Sequence, residues 1–301
     1  MPNGRPGVGT GFIAMLDYDD DHFISFIVTN KHVVRDYQSG FFTLSNTNIV
    51  EDTRLHRDQR NIAFTADQWI PHPEEDIDLC VLPIGRHISW LKRSNFTPFL
   101  CQTNLNAIPN EQILESFEPL EPIIMVGYPI GLWDSVNNLP LLRRGITATH
   151  PKINFKGKPE FLIDAAVYPG SSGSPVYLHD SVAFHDGREM KYRTRIYLLG
   201  ITYAYIPHTV PEEIPTSQGD FPELLPSVNL GIVIKSSKLH EFIPILREMA
   251  DKKKTSTKHN DIQHHRLMLL LRQTMLSLRE AIKKYALMCT CIPTTIFLSQ
   301  L

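Results

Sequence analysis

Gly170-Ser171-Ser172-Gly173-Ser174-Pro175 is the stretch on which the reading of this sequence turns. A hydroxyl attacks a carbonyl well only when a base takes its proton and nearby donors stabilise the oxyanion that forms. Flanking glycines let the backbone take turns closed to other residues, and they bring N–H groups close to a bound molecule. The run therefore offers Ser172 as a candidate nucleophile, with the N–H groups of Gly170 and Ser172 as a candidate oxyanion hole. Taken alone, it reads equally well as a glycine–serine turn between two strands.

Two further stretches bear on the choice. Phe26-Ile27-Val28-Thr29-Asn30-Lys31-His32-Val33-Val34 reads as a strand ending in a polar turn that delivers a histidine beside apolar residues. Histidine titrates near neutrality and suits general acid–base work. Twelve other histidines are present, so only the context of His32 singles it out. Asp76-Ile77-Asp78-Leu79-Cys80-Val81-Leu82 places an acid against a buried run, which is costly without a partner. A histidine N–H is such a partner. Asp76 is the rival acid, two residues away; Asp78 is preferred because it adjoins the apolar run.

The order His32, Asp78, Ser172 carries more than any one of the three. Serine hydrolases with the Gly-X-Ser-X-Gly elbow run serine, acid, histidine, and subtilisins run aspartate, histidine, serine. This chain has neither order, and position 174 is Ser where the elbow needs Gly. Each interval leaves room for several strands. Short apolar runs recur through residues 8–250: Gly11–Met15, His22–Thr29, Ile77–Ile84, Pro122–Gly127, Phe161–Val167, Ser174–Tyr177, Arg195–Thr202 and Asn229–Ile234. Runs of this length and composition suit strands, and their spacing predicts a barrel or sandwich. Asp186-Gly187 predicts a hairpin turn, and five prolines in 206–228 predict an extended loop.

From Ser237 the pattern becomes helical, with Leu239, Phe242, Ile243, Leu246 and Met249 in rhythm. The expected division is a domain over 1–250, a polar linker over 251–260 and a helical extension over 261–301. Residues 251–285 carry nine Lys/Arg against three Asp/Glu, while the whole chain has a formal charge of −2. That balance reads as a solvated helix face, and a protein partner is expected, if anywhere, along 261–285. No nucleic-acid or membrane partner is expected. Four scattered cysteines do not make a disulfide scaffold and favour a reducing compartment. No signal-like apolar stretch opens the sequence, so a cytoplasmic location is expected.

With these pieces in place, the chain resembles the chymotrypsin-fold peptidases of the high-temperature-requirement (HtrA-like) and related bacterial trypsin-like branch. The matching pieces are Gly9-Thr10-Gly11-Phe12, Ile27 to Val34, Asp78 to Leu82, Gly127-Tyr128-Pro129-Ile130-Gly131, Ile163-Asp164-Ala165-Ala166, Gly170 to Pro175, Leu199-Gly200-Ile201 and Asn229 to Ile234. The resemblance implies a mainly β fold of two six-stranded antiparallel barrels with the His32–Asp78–Ser172 triad in the cleft between them. It implies a serine endopeptidase that cleaves proteins or peptides through an acyl-enzyme, with no metal or organic cofactor.

By the same resemblance, Ala166 and the strand Ile201-Thr202-Tyr203 line the primary substrate pocket. Ala166 stands where trypsin places an acid, so a small or medium apolar P1 residue is expected. The chain departs from the family in three places. Ser174 replaces the usual second glycine, nothing resembles a propeptide cleavage, and the residues after Ile245 are too few for a PDZ domain. A catalytically silent protease fold that scaffolds partners, or a partner-triggered effector acting through its C-terminal helix, is the alternative expectation.

Overall fold

The computed structural model describes residues 7–46, 58–185, 190–207, 227–257 and 295–300. In the first half, β1 (Val8–Asp17), β2 (Phe23–Thr29), β3 (Ser39–Ser45), β4 (Gln59–Thr65), β5 (Ile70–Pro71), β6 (Cys80–Pro83) and β7 (Thr103–Asn104) share one sheet. The second half holds β8 (Pro122–Gly127), β9 (Leu141–Thr147), β10 (Glu160–Asp164), β11 (Pro175–His185), β12 (Met190–Pro207) and β13 (Ser227–Lys235). These six close into a barrel in the order β10-β13-β12-β11-β8-β9. A last strand, β14 (Thr295–Gln300), returns to the first sheet.

Alternation along the strands explains how the two halves join. Successive side chains of a strand point to opposite faces. On β1, Phe12, Ala14 and Leu16 enter one core while Ile13 enters another. On β2, Phe26 and Val28 join the first core, and Ile27 joins the second. The first core also takes Tyr177, Leu198, Ile201 and Ile234 from the barrel, so it is the layer between the halves. The second lies inside the first half, and a third, with Phe161, Ile163, Val176 and Val233, fills the barrel. Burying each such large apolar side chain contributes about 1.5–3 kcal/mol.

The expected fold was two six-stranded barrels; among the described residues one closed six-stranded barrel is present. The first half is an eight-stranded sheet with the path β4-β3-β14-β1-β2-β6-β5, and β7 pairs with β1. β5 is only two residues long, and its second, Pro71, has no N–H to donate, so the ladder stops there. β14 lies in a region expected to be helical. It pairs antiparallel with β1 (Thr10 opposite Phe297) and with β3 (Phe42 opposite Leu298). These nonlocal ladders pair it as a strand.

The α-helices among the described residues are α1 (Lys31–Val34), α2 (Gly85–Arg93), α3 (Glu111–Glu115) and α4 (Ile243–Thr257). α4 follows a 3₁₀ turn at Ser236–Phe242 and runs through Asp251–Thr257, where a polar linker was expected. Lysine is a good helix former, so a polar lysine-rich run continues a helix at little cost. The Asp186-Gly187 turn, most of the proline-rich loop and the 261–285 segment lie outside the described residues. β11 and β12 pair up to His185 and Met190 on either side of that turn. Among the described residues, no helix is long and apolar enough to cross a membrane.

Candidate active site

β2 delivers His32. The strand ends at Thr29, and the single turn of α1 follows, anchored by buried Val33 and Val34. Asn30, fully buried between them, donates from Nδ2 to the Asp78 carbonyl at 2.7 Å. Lys31 Nζ donates to the carbonyls of Glu74 and Glu75 at 3.0 and 3.1 Å. These bonds tie the histidine turn to the segment that carries the acid.

That segment lies just before β6. Buried Ile77 and Leu79 flank Asp78, and the N–H of His72 donates to the Leu79 carbonyl at 2.9 Å. The His72 ring is buried; its Nδ1 accepts from the Glu74 N–H and its Nε2 donates to the Lys238 carbonyl, both at 3.1 Å. The acid loop is thereby fastened to the 3₁₀ turn before α4.

Asp78 holds His32 with both oxygens. Oδ1 accepts the backbone N–H of His32 at 3.0 Å, and Oδ2 lies 2.5 Å from its Nδ1. An ionised carboxylate only accepts, so Nδ1 carries a proton, and in the neutral ring Nε2 keeps its lone pair. Asp76 is exposed and is not the carboxylate that meets His32.

The turn that carries Ser172 docks on both halves. Ser171 N–H donates to the Tyr168 carbonyl, Ser174 N–H to Ser171, Gly173 N–H to Thr202 and Thr202 N–H to Ser174. From the first sheet, Thr10 N–H donates to the Ser172 carbonyl at 2.9 Å. Gly170 and Gly173 have φ of +88° and +89°. A Cβ on Gly170 would lie 2.6 Å from the Tyr128 carbonyl oxygen, and one on Gly173 1.8 Å from that of Thr10. Both positions therefore require glycine.

The Ser172 hydroxyl donates to the Tyr203 carbonyl at 3.3 Å, and no hydrogen bond joins it to His32 among the described residues. A bulge makes that carbonyl available. β12 and β13 pair Thr202 with Val233 and then Ala204 with Ile232, leaving Tyr203 as the extra residue. Burial, a hydrogen bond to Glu160 and the charge of Asp78 all push the Tyr203 phenol above its usual range.

The expected pocket residues divide. Ala166 and Tyr203 keep partial exposure. Ile201 is wholly buried in the core between the halves, because strand alternation turns it to that face. Thr202 is also wholly buried, and its hydroxyl donates to the Met125 sulfur at 3.4 Å. Sequence reasoning missed Arg143, whose Nη1 donates to the Ala166 carbonyl at 2.5 Å and whose guanidinium lies 4.7 Å from the Tyr168 ring centroid. It missed Thr10, Asn30 and His72 as well. The Gly9-Thr10-Gly11 stretch was the available signal for Thr10. His72 had none, because the partners that fasten its ring to the turn before α4 lie 166 and more positions away.

The chain is similar in structure to an inactive form of Rv3671c from M. tuberculosis H37Rv, at 11% identity and a TM-score of 0.33, over 79% of this chain and 86% of that one. It is similar to the thermostable serine protease AL20 from an extremophilic microorganism, at 12% identity and a TM-score of 0.33, over 78% and 94%. A third similar structure is the scabies mite inactivated protease paralogue S-I1, at 12% identity and a TM-score of 0.33, over 81% and 94%. No curated protein matches the sequence. The family model described as the trypsin-like peptidase domain matches residues 9–184, more than half of the 301 residues and a span holding His32, Asp78 and Ser172, and the chain belongs to that family.

Proposed function

We propose that this chain is a serine endopeptidase in which Ser172 is the nucleophile, His32 the general base and Asp78 the residue that orients the histidine. The observation that carries the reading is the double hold of Asp78 on His32, at ring and backbone together. It leaves Nε2 as the acceptor that a serine hydroxyl needs. In this reading the eight-stranded sheet takes the place of the family's first barrel, and the site lies between it and the closed barrel.

The reaction starts when the Ser172 hydroxyl rotates from the Tyr203 carbonyl to His32. Oγ adds to the scissile carbonyl as Nε2 takes its proton, and the N–H groups of Gly170 and Ser172 receive the oxyanion. The imidazolium then gives its proton to the leaving amine. A water molecule repeats the sequence on the acyl-enzyme and frees Ser172. Small or medium apolar P1 residues suit the site: Ala166 brings no carboxylate, and Arg143 is a cation bound to its carbonyl. A P1 lysine or arginine would meet like charge there. A peptide library cleaved mainly after Lys or Arg refutes this preference.

Labelling by a fluorophosphonate tests the mechanism. Covalent modification at Ser172, lost in both Ser172→Ala and His32→Ala, is the expected result. The double variant should be little worse than either single one, because triad members act as a unit. A folded chain that is never labelled, with or without added partners, defeats the reading. One observation favours a second reading, a catalytically silent protease fold that scaffolds partners: the Ser172 hydroxyl is bonded to Tyr203. Under that reading, Ser172→Ala leaves every measurable property unchanged.

A further inference from the structure

We propose that the Thr10 hydroxyl is a positioning group that sets the oxyanion hole from the opposite half of the molecule; this rests on the serine-peptidase reading above. Thr10 lies on β1, wholly buried. Its Oγ1 accepts the Tyr128 N–H at 3.0 Å and donates to the Gly170 carbonyl at 2.8 Å. Its backbone N–H holds the Ser172 carbonyl, and its backbone carbonyl accepts the Thr29 hydroxyl at 2.7 Å. One residue of the first sheet thus touches the strand end before His32, the nucleophile turn and the turn after β8.

The second hold comes from that last turn. Ile130 N–H donates to the Pro169 carbonyl at 2.6 Å. Ile130 adopts φ of +51°, a left-handed conformation costly for a β-branched residue. In a trans peptide the C=O and the following N–H point in opposite directions. Fastening the Pro169 carbonyl to Ile130 therefore turns the Gly170 N–H the other way, and the Thr10 hydroxyl fixes the peptide that follows. Gly170 N–H and Ser172 N–H donate to no group among the described residues. Two donors held rigid without an internal acceptor are what an oxyanion requires.

Thr10→Val keeps the shape and removes the hydroxyl, while Thr10→Ser keeps the hydroxyl. Deleting a whole oxyanion donor costs about 10²–10³ in kcat. A donor loosened but not deleted should cost about 10- to 100-fold in kcat in Thr10→Val, with KM within about twofold and Thr10→Ser close to wild type. The second readout is amide hydrogen exchange of Ile130 and Ser171, resolved by NMR. It should rise at least about tenfold in Thr10→Val and not in Thr10→Ser. A folded Thr10→Val with wild-type kcat, or with wild-type exchange at both amides, overturns the proposal. If the wild-type chain neither turns over substrate nor reacts with fluorophosphonate, the peptidase reading fails, and the exchange data still decide whether Thr10 holds the turn.

Discussion

Replacing Asp78 by asparagine keeps the size of the side chain and changes only what it accepts and donates. In the native site both oxygens accept, one from the His32 backbone N–H at 3.0 Å and one from Nδ1 at 2.5 Å. An asparagine offers one accepting oxygen and one donating NH₂. If the oxygen keeps the backbone N–H, the NH₂ faces Nδ1. The ring must then carry its proton on Nε2, where it cannot take one from Ser172. If the amide flips, the ring keeps the right tautomer but the His32 N–H faces a donor, at a cost of about 1–3 kcal/mol. The loss of negative charge beside the imidazolium adds to this in either arrangement. The comparable change in trypsin costs about 10⁴ in kcat, or about 5.4 kcal/mol. Asp78→Asn is expected to fall by a similar factor, with thermal stability close to wild type. The assay is steady-state hydrolysis of a chromogenic peptide with an apolar P1 residue, with active sites counted by fluorophosphonate. Asp76→Asn is the control and should stay within about twofold, since Asp76 is exposed. An Asp78→Asn enzyme retaining a tenth of wild-type kcat, or an Asp76→Asn enzyme equally damaged, would refute the assignment.

Further expectations concern the scaffold. Gly173→Ala places a Cβ 1.8 Å from the Thr10 carbonyl oxygen at φ of +89°; a loss above about 3 kcal/mol in urea unfolding is expected, and an unchanged midpoint contradicts the described turn. Arg195 makes a bidentate pair with Glu121, whose side chain is 2% exposed, and also binds Asp180. Arg195→Leu strands that buried carboxylate and should cost about 3–5 kcal/mol; a Tm within about 2 °C of wild type contradicts it. Removing residues 295–301 leaves β1 and β3 without their partner. A stability loss of about 3 kcal/mol, or ~6–12 °C in Tm, should follow, with aggregation through the opened edges; a truncated chain as stable and soluble as the full one rules the ladder out. Burial and, after it, the charge of Asp78 push the Cys80 thiol well above its usual range. Thiolate is the reactive form, so iodoacetamide should modify Cys80 only on unfolding, as peptide mass mapping will show. Modification in the folded chain counts against that burial.

Part of the strand content was legible because it is written locally. Alternation and short apolar runs located β1, β2, β6, β8, β10 and β13 to within three residues, the middle of β12 and the first residues of β11, but not β3, β4 or β9. The candidate site was legible for a different reason: its three side chains stand in an order shared by one class of serine hydrolases, and each lies in a stretch with its own turn signals. What escaped notice was nonlocal. Thr295–Gln300 lies in a stretch whose sequence reads as helical, and pairing with β1 and β3 makes a strand of it. His72 and Lys238 meet across 166 positions, and no periodicity reports such a contact. The resemblance set Ile201 beside a pocket; that its side chain packs in the core between the halves depends on which half packs against it.

The sequence by itself determined the candidate serine, the candidate histidine and the two candidate acids, along with the glycines at positions 170 and 173 that the turn around Ser172 requires. Those are matters of side-chain chemistry and local backbone freedom, which a residue carries wherever it is placed. The tertiary structure alone decided that Asp78, not Asp76, meets His32. It also decided that the Ser172 hydroxyl rests on the carbonyl freed by the Tyr203 bulge, and that Thr10 spans the two halves to hold Gly170 and Ser172. Hydrogen bonds at about 3 Å between residues tens to hundreds of positions apart are set by how two cores pack on each other, and that packing is a property of the whole chain.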